Sequence, residues 1–334
     1  VKRTKVVVIG GGTGTFVALS GLKKYPNLDL SVIVSMMDDG GSNRVIRDEF
    51  GYLPTSDIRQ CLIALSSKDT DQTLRKLFNY RYNAGTGISG MTFGNLFMAA
   101  LTDIYKGDQD KAIEETCKIL HVQGKVIPVT FDKTHLVAKY ENKKEILGEH
   151  NIDEPDQKQG QYRILNIDTL PKAALNPKAT IAIQEADIIV LGPGDLYTSV
   201  LCNLVVGDLS QRIKKSKAKK VFVINLMTKF GQTNNFKASD FVHEVEKYLG
   251  QDVVDYYIIN NSIEYPPNLL EKYGEEASIP VINNLDEIKN RKFKVLKENV
   301  VSNKVYEKQK SDILARSLIR HDSDKLAKVI ASLT

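Results

Sequence analysis

Apolar strands alternate along this chain with segments of helical period, and two glycine-rich turns each follow an apolar strand directly. That pattern predicts an α/β fold: a doubly wound, Rossmann-like parallel sheet with a small β-rich insertion. The first turn follows Lys5 to Ile9, a β-branched run that stops at glycine and reads as a buried parallel strand. The second follows Asp187 to Leu191, which runs into Gly192-Pro193-Gly194. Ligands of such sheets bind beyond the carboxyl ends of the strands, at a topological switch point. Both turns are therefore expected at one edge.

The remaining elements follow in order. Phe16 to Lys24 carries Phe16, Leu19 and Leu22 at helical spacing, and Leu30 to Met36 is a second apolar strand. Asp38 to Leu53 is polar and glycine-bearing and reads as loop. Asp57 reads as an N-cap, with Ile58, Cys61, Leu62 and Leu65 in one stripe behind it. Asp69 to Tyr80, Phe93 to Ile104 and Asp110 to Leu120 read as helices. Val126 to Tyr140 and Arg163 to Ile167 read as strands around the polar stretch Glu141 to Gln161. Residues 122–170 are thus expected to form a β-rich insertion with a mobile loop, inside a single domain spanning 1–334. The βα rhythm returns with a helix near Leu204 to Lys215, a strand at Lys220 to Leu226, a helix at Ser239 to Leu249 and a strand at Val253 to Asn260. A last helix starts near Asp322, where Leu326, Val329, Ile330 and Leu333 share a face.

Composition narrows the class. The chain has 334 residues, 42% hydrophobic and 26% charged, which excludes disordered and fibrous proteins. Cys61, Cys117 and Cys202 lie far apart in sequence and form no C-x-x-C pair, so neither a disulfide framework nor a structural zinc site is expected. So few cysteines suit a reducing cytosol. The basic N-terminus is followed by an apolar run too short for a signal peptide, and no apolar run is long enough to span a membrane, so a cytoplasmic protein is expected. The formal charge of +5 admits anionic ligands without calling for nucleic acid. The run Lys214 to Lys220 reads as the solvated end of a helix. No histidine spacing of the zinc hydrolases and no G-x-S-x-G elbow occurs.

The first candidate site is Gly10-Gly11-Gly12-Thr13-Gly14-Thr15. Bare backbone can approach phosphate oxygens there, and the next helix aims free N–H groups at them. It is not a Walker A loop, and Thr15 breaks the G-x-G-x-x-G register. A tight strand-to-helix turn without a ligand is the plainer alternative. The second is Asp38-Asp39-Gly40-Gly41-Ser42. Its carboxylates could hold a ribose hydroxyl or Mg²⁺, and Gly40, Gly41 and Ser42 could form an anion nest; alternatively it is a solvated acidic turn. Asp57 could accept from a substrate hydroxyl and Arg59 could clamp phosphate. Gly94-Asn95 opens or interrupts a helix after a glycine cluster, as an anion site or a plain loop would. The last turn, Gly192-Pro193-Gly194-Asp195-Leu196-Tyr197-Thr198-Ser199, offers a second phosphate grip. Asn203, Asn225, Thr228 and Asn260 fall at strand ends or helix starts on the same edge. Together these residues describe a polar rim without a nucleophile–base pair.

These residues in this order resemble the family that joins the gluconeogenesis factor YvcK to the 2-phospho-L-lactate transferase CofD. The likeness runs through Gly10 to Thr15, Gly21-Leu22-Lys23, Asp38 to Ser42, Asp57-Ile58-Arg59, Gly94-Asn95-Leu96, Gly192 to Asn203, Asn225 to Thr228 and Arg320-His321. Met37 to Ser42 and Arg320-His321 look like the YvcK branch. That resemblance implies a cytoplasmic regulator of carbon metabolism, cell shape and envelope synthesis that binds a nucleotide sugar such as UDP-N-acetylglucosamine. It also implies that Tyr273 and Arg320 contact the UDP-sugar. The chain departs from the family pattern at Asn43-Arg44-Val45, at Thr55-Ser56 and at Gly90-Met91-Thr92. Two alternatives stay open. One is a Mg²⁺-dependent transferase that moves a phospholactyl-type group from a nucleotide diphosphate donor to a hydroxyl, with Asp57 orienting or deprotonating the acceptor. The other is an NAD-binding oxidoreductase. A regulatory protein partner and a homo-oligomer are both compatible with the sequence.

Overall fold

The computed structural model describes residues 3–67, 72–262, 264–265, 269–289, 291–304 and 318–334. Its strands are β1 (Thr4–Gly10), β2 (Leu28–Val34), β3 (Lys125–Pro128), β4 (His135–Tyr140), β5 (Glu145–Leu147), β6 (Ile164–Leu170), β7 (Ile188–Leu191), β8 (Lys219–Val223), β9 (Tyr256–Asn260) and β10 (Lys294–Glu298). The main sheet has the order β10-β9-β8-β7-β1-β2-β3, and its paired strands are parallel. A separate antiparallel sheet has the order β5-β4-β6. The doubly wound α/β expectation is met.

The strand order explains the site. From β1 the chain steps outward through β2 to β3, passes through the small sheet, and returns at β7 on the other side of β1 before stepping outward again. The switch point thus lies between β1 and β7, and the turns that follow those two strands are neighbours. Both strands are central and covered on both faces, which is why Val6 to Ile9 and Ile188 to Leu191 are continuously apolar and buried.

The first helix, Gly12–Leu22, begins inside the glycine turn, earlier than its apolar period indicates. Its Gly21 lies against the last helix, Ser323–Ala331: a Cβ there would sit 1.9 Å from the Ser323 carbonyl oxygen. Asp322 caps that last helix, accepting from the N–H groups of Asp324 at 3.0 Å and Lys325 at 2.9 Å. The small sheet is tied to the helix Ala238–Leu249 by Glu244, a fully buried carboxylate 3.3 Å from Arg163 and 2.6 Å from Lys247.

Several segments differ from the sequence reading. Asp38 to Leu53 is not all loop: Gly41–Val45 is helical and runs on as a π-helical turn over Ile46–Phe50, because buried Asn43 and Ile46 anchor it. Val126 to Tyr140 is two strands, and Lys125–Pro128 is the edge of the main sheet, so the three-stranded sheet occupies only 135–170. Within the expected mobile loop lie β5 and the helix Glu149–Asp153. Thr55, not Asp57, is the N-cap of Ser56–Leu65, and Asp57 stands in its first turn. Of the helix expected over 69–80, Gln72–Asn79 is present and residues 69–71 lie outside the described residues. After β7 the helix is interrupted at Gly207, which has a φ of +52°, and resumes as Leu209–Lys215. Strand β10 has no counterpart in the sequence reading, since its half-exposed Lys-Val-Leu-Lys-Glu lacks an apolar run. Among the described residues no helix is long and apolar enough to cross a membrane.

Gly14 has no room for a side chain: its Cβ would lie 2.3 Å from the Pro193 carbonyl oxygen and 2.9 Å from the Gly194 nitrogen. Gly14→Ala should therefore destabilise the fold by about 1–3 kcal/mol through overpacking. Gly274→Ala, whose Cβ would meet open space, should change stability by less than about 1 kcal/mol. Denaturant unfolding of both variants checks this.

Candidate functional site

A cleft of about 260 Å³ opens where the two turns meet. Gly11, Gly12, Thr13 and Gly14 of the first turn line it, as do Pro193, Gly194, Thr198 and Ser199 of the second. The turns abut: a Cβ on Gly194 would come 3.5 Å from the Gly11 carbonyl oxygen, and one on Gly12 would come 3.8 Å from Ser199 Oγ. Asn225 lines the cleft and holds the second turn by donating to the Gly194 carbonyl at 2.8 Å. Buried Asn203 holds it from below by donating to the Ser199 carbonyl at 2.9 Å. Gly10, Thr15, Gly192, Leu196, Tyr197 and Asn203 do not line the cleft. They form its support, with Thr15, Leu196 and Tyr197 buried in the interior. Burial pushes the Tyr197 phenol well above its ordinary range.

Asp38 and Asp39 diverge. Asp38 faces the cleft and accepts from the Gly40 N–H at 2.9 Å. Burial, reinforced by the charges of Asp39 and Asp153 and eased by that bond, raises its carboxyl to about 6. Asp39 is not among the lining residues; it accepts from the His150 N–H at 2.8 Å, with His135 Nδ1 3.7 Å away. Of the two carboxylates expected to hold Mg²⁺, only Asp38 lines the cleft. Among the described residues, no group of three or more His, Cys, Asp or Glu side chains is placed to hold a metal. Gly40 and Ser42 line the cleft, while Gly41 starts the short helix with a φ of +48°.

Arg59 borders the cleft but is 4% exposed. Its Nε donates to Asn95 Oδ1 at 2.9 Å, and its Nη1 donates to the Phe78 carbonyl and to Asn79 Oδ1, both at 3.1 Å. Asn95 Nδ2 donates in turn to Ser42 Oγ and Ser56 Oγ, both at 2.9 Å. A Cβ on Gly94 would lie 2.5 Å from Arg59 Cδ. Gly94-Asn95 is thus a seat for the arginine, away from the cleft surface, and not an open anion turn. Asp57 lines the cleft with its Oδ2 against the first turn, 2.3 Å from where a Gly11 Cβ would stand.

The cleft also holds residues that the sequence reading missed. Glu149, His150, Asp153 and Glu154 line it from the helix of the small sheet, in a stretch whose polar composition gave no sign of them. Lys229 bridges this helix to the second turn, 2.6 Å from Asp153 and 2.8 Å from Asp195. Burial lowers the Lys229 ammonium, but the two carboxylates prevail and hold it above its ordinary range. Asp153 also accepts from Thr198 Oγ1 and Gln232 Nε2, both at 2.8 Å. Glu149 is raised well above the usual carboxyl range by burial, with the charges of Asp153 and Asp38 adding to it.

Thr228, Tyr273, Arg320 and His321 also line the cleft. Thr228 Oγ1 accepts from the Ile279 N–H at 2.9 Å. Tyr273 accepts from the N–H groups of Leu318 at 2.8 Å and Ile319 at 3.1 Å, so it positions the segment that carries Arg320. Asn260 lies away from the cleft and ties β9 to the loop beyond it, donating to the Ser262 carbonyl at 2.9 Å. Burial lowers the His321 ring to about 4, against a hydrogen bond with the Ile224 backbone that favours the protonated form.

Comparison with known proteins agrees with the motifs. Residues 6–301 match the family described as 2-phospho-L-lactate transferase CofD. The gluconeogenesis factor of Bacillus subtilis is 36% identical, covering 99% of this chain and 98% of that one. The gluconeogenesis factor of Halalkalibacterium halodurans is 35% identical, covering 98% and 96%. The crystal structure of protein BH3568 from Bacillus halodurans matches with a TM-score of 0.88 at 34% identity, covering 99% of this chain and 100% of that one. The chain belongs to the CofD family.

The raised Asp38 carboxyl makes stability depend on pH. The folded state favours its protonated form, so its contribution is held at low pH and lost as pH rises through about 6. Asp38→Asn removes that loss and keeps an acceptor for the Gly40 N–H. It should raise Tm relative to wild type at pH 8, with the difference shrinking toward pH 5, as thermal unfolding across that range would show.

Proposed function

We propose that this chain is a nucleotide-sugar-binding regulator of the gluconeogenesis-factor type, acting on carbon metabolism, cell shape and envelope synthesis from the cytoplasm. Its ligand is a nucleoside diphosphate sugar such as UDP-N-acetylglucosamine. The observation that carries this reading is the abutment of two glycine turns at one rim of the cleft. Bare backbone at a helix start and at a second turn can bring several N–H groups to one diphosphate. Arg320 adds a planar cation suited to phosphate, and Tyr273 offers an aromatic face to a sugar or base. The carboxylates of Asp38 and Asp57 suit sugar and ribose hydroxyls. The names of the relatives support the regulatory role.

A second reading, transfer of a phospholactyl-type group from a nucleotide diphosphate donor to a hydroxyl, is favoured by the family description and by Asp57. Its carboxylate stands against Gly11, where it could orient or deprotonate an acceptor beside the diphosphate.

Calorimetry with UDP-N-acetylglucosamine, GDP and NAD, each with and without Mg²⁺, separates the readings when mass spectrometry follows each mixture. UDP-N-acetylglucosamine is expected to bind best and to remain intact. A Mg²⁺-dependent product would replace the regulator with the transferase, and preference for NAD would point to an oxidoreductase. Arg320→Ala should weaken UDP-N-acetylglucosamine binding by about tenfold or more, as the loss of a charge-assisted hydrogen bond requires.

A further inference from the structure

The lining of the cleft includes a group that the diphosphate grip does not use. His321 is 7% exposed and lines the cleft. Its backbone is fixed on both sides: the Ser302 N–H donates to the Arg320 carbonyl at 2.9 Å, and the Asp322 N–H donates to the Val300 carbonyl at 2.7 Å. The ring bond to the Ile224 backbone favours the protonated form, so a ring N–H is the donor and the Ile224 carbonyl the acceptor. Nε2 has no partner. The proton of the neutral ring therefore sits on Nδ1, and Nε2 presents a lone pair. Of the buried side-chain polar atoms left without a partner among the described residues, Nε2 of His321 is the one that belongs to a cleft-lining residue. A buried acceptor left unpaired costs about 1–3 kcal/mol, so a ligand that satisfies it gains affinity and one that cannot is rejected.

We propose that His321 Nε2 is a specificity-determining acceptor that takes a hydrogen bond from an N–H or O–H donor on the ligand, beyond its diphosphate. The assignment rests on the diphosphate reading above. Position supports it: the two glycine turns follow β1 and β7, whereas His321 is anchored just past β8, the next strand along. The base or sugar end of the ligand extends toward that side. The donor is either the imide N3–H of uracil or a sugar hydroxyl.

Binding of UDP-N-acetylglucosamine, UDP and N3-methyl-UDP is measured by calorimetry on wild type and on His321→Phe, which keeps a planar ring and removes the acceptor. The variant should lose at least tenfold in affinity for UDP-N-acetylglucosamine. If the sugar is read, its preference for UDP-N-acetylglucosamine over UDP collapses. If the base is read, its preference for UDP over N3-methyl-UDP collapses instead. Because the variant could fail to fold, wild-type protein labelled with ¹⁵N-histidine is titrated in parallel, and the Nε2 resonance of His321 should move upfield at saturation. Unchanged affinities and ranking in folded His321→Phe, or an unmoved Nε2 resonance in saturated wild type, would overturn the assignment while leaving the diphosphate reading intact. Absence of binding by all three nucleotides to wild type would remove that reading itself, and this assignment with it.

Discussion

Gly14 and the Pro193 carbonyl are closer than any side chain at position 14 would allow, and the geometry of the cleft depends on that approach. Two turns far apart in sequence meet because β1 and β7 are adjacent in the sheet. Their approach makes a rim of backbone with little side-chain cover. Asn225 and Asn203 hold the second turn in place, and the last helix closes on Gly21 of the first. Support residues and lining residues alternate along the same short stretches, so neighbours such as Thr198 and Tyr197 have different tasks. Thr198 faces the cleft and Tyr197 packs beneath it.

The charged groups divide in the same way. Lys229 is bound to Asp153 and Asp195, and it joins the helix of the small sheet to the second turn. Arg59 anchors the helices around Asn95 through its side-chain and backbone partners. Breaking a largely buried ion pair on one side costs more than the pair contributes in net terms, so Lys229 fixes geometry more than it adds stability. Asp38 and Glu149 are different. Burial raises both carboxyls, so they favour a proton over a charge in a cleft that Arg320 also lines.

Much of this was legible in the sequence. The continuous apolar runs of β1 and β7 could be read because central parallel strands need no polar face. The glycine turns could be read because only glycine permits such close backbone approach. Strand β10 and the helix Glu149–Asp153 were not legible, since neither carries an apolar period: one is a half-exposed edge, and the other is held by Asp39 and Lys229. Asp38 and Asp39 read as a pair because adjacency in sequence says nothing of direction.

By itself the sequence determined the fold class, the family and the residues from which the rim is made, because these depend on local pattern and on residue chemistry. Tertiary structure decided which of those residues face the cleft. It turned Asp39, Arg59 and Asn95 toward protein partners, brought Glu149 and Asp153 in from a polar stretch, and left His321 Nε2 without one. The physical reason is that a polar side chain takes the direction of its best hydrogen-bond partner, and for these residues that partner lies dozens of residues or more away along the chain.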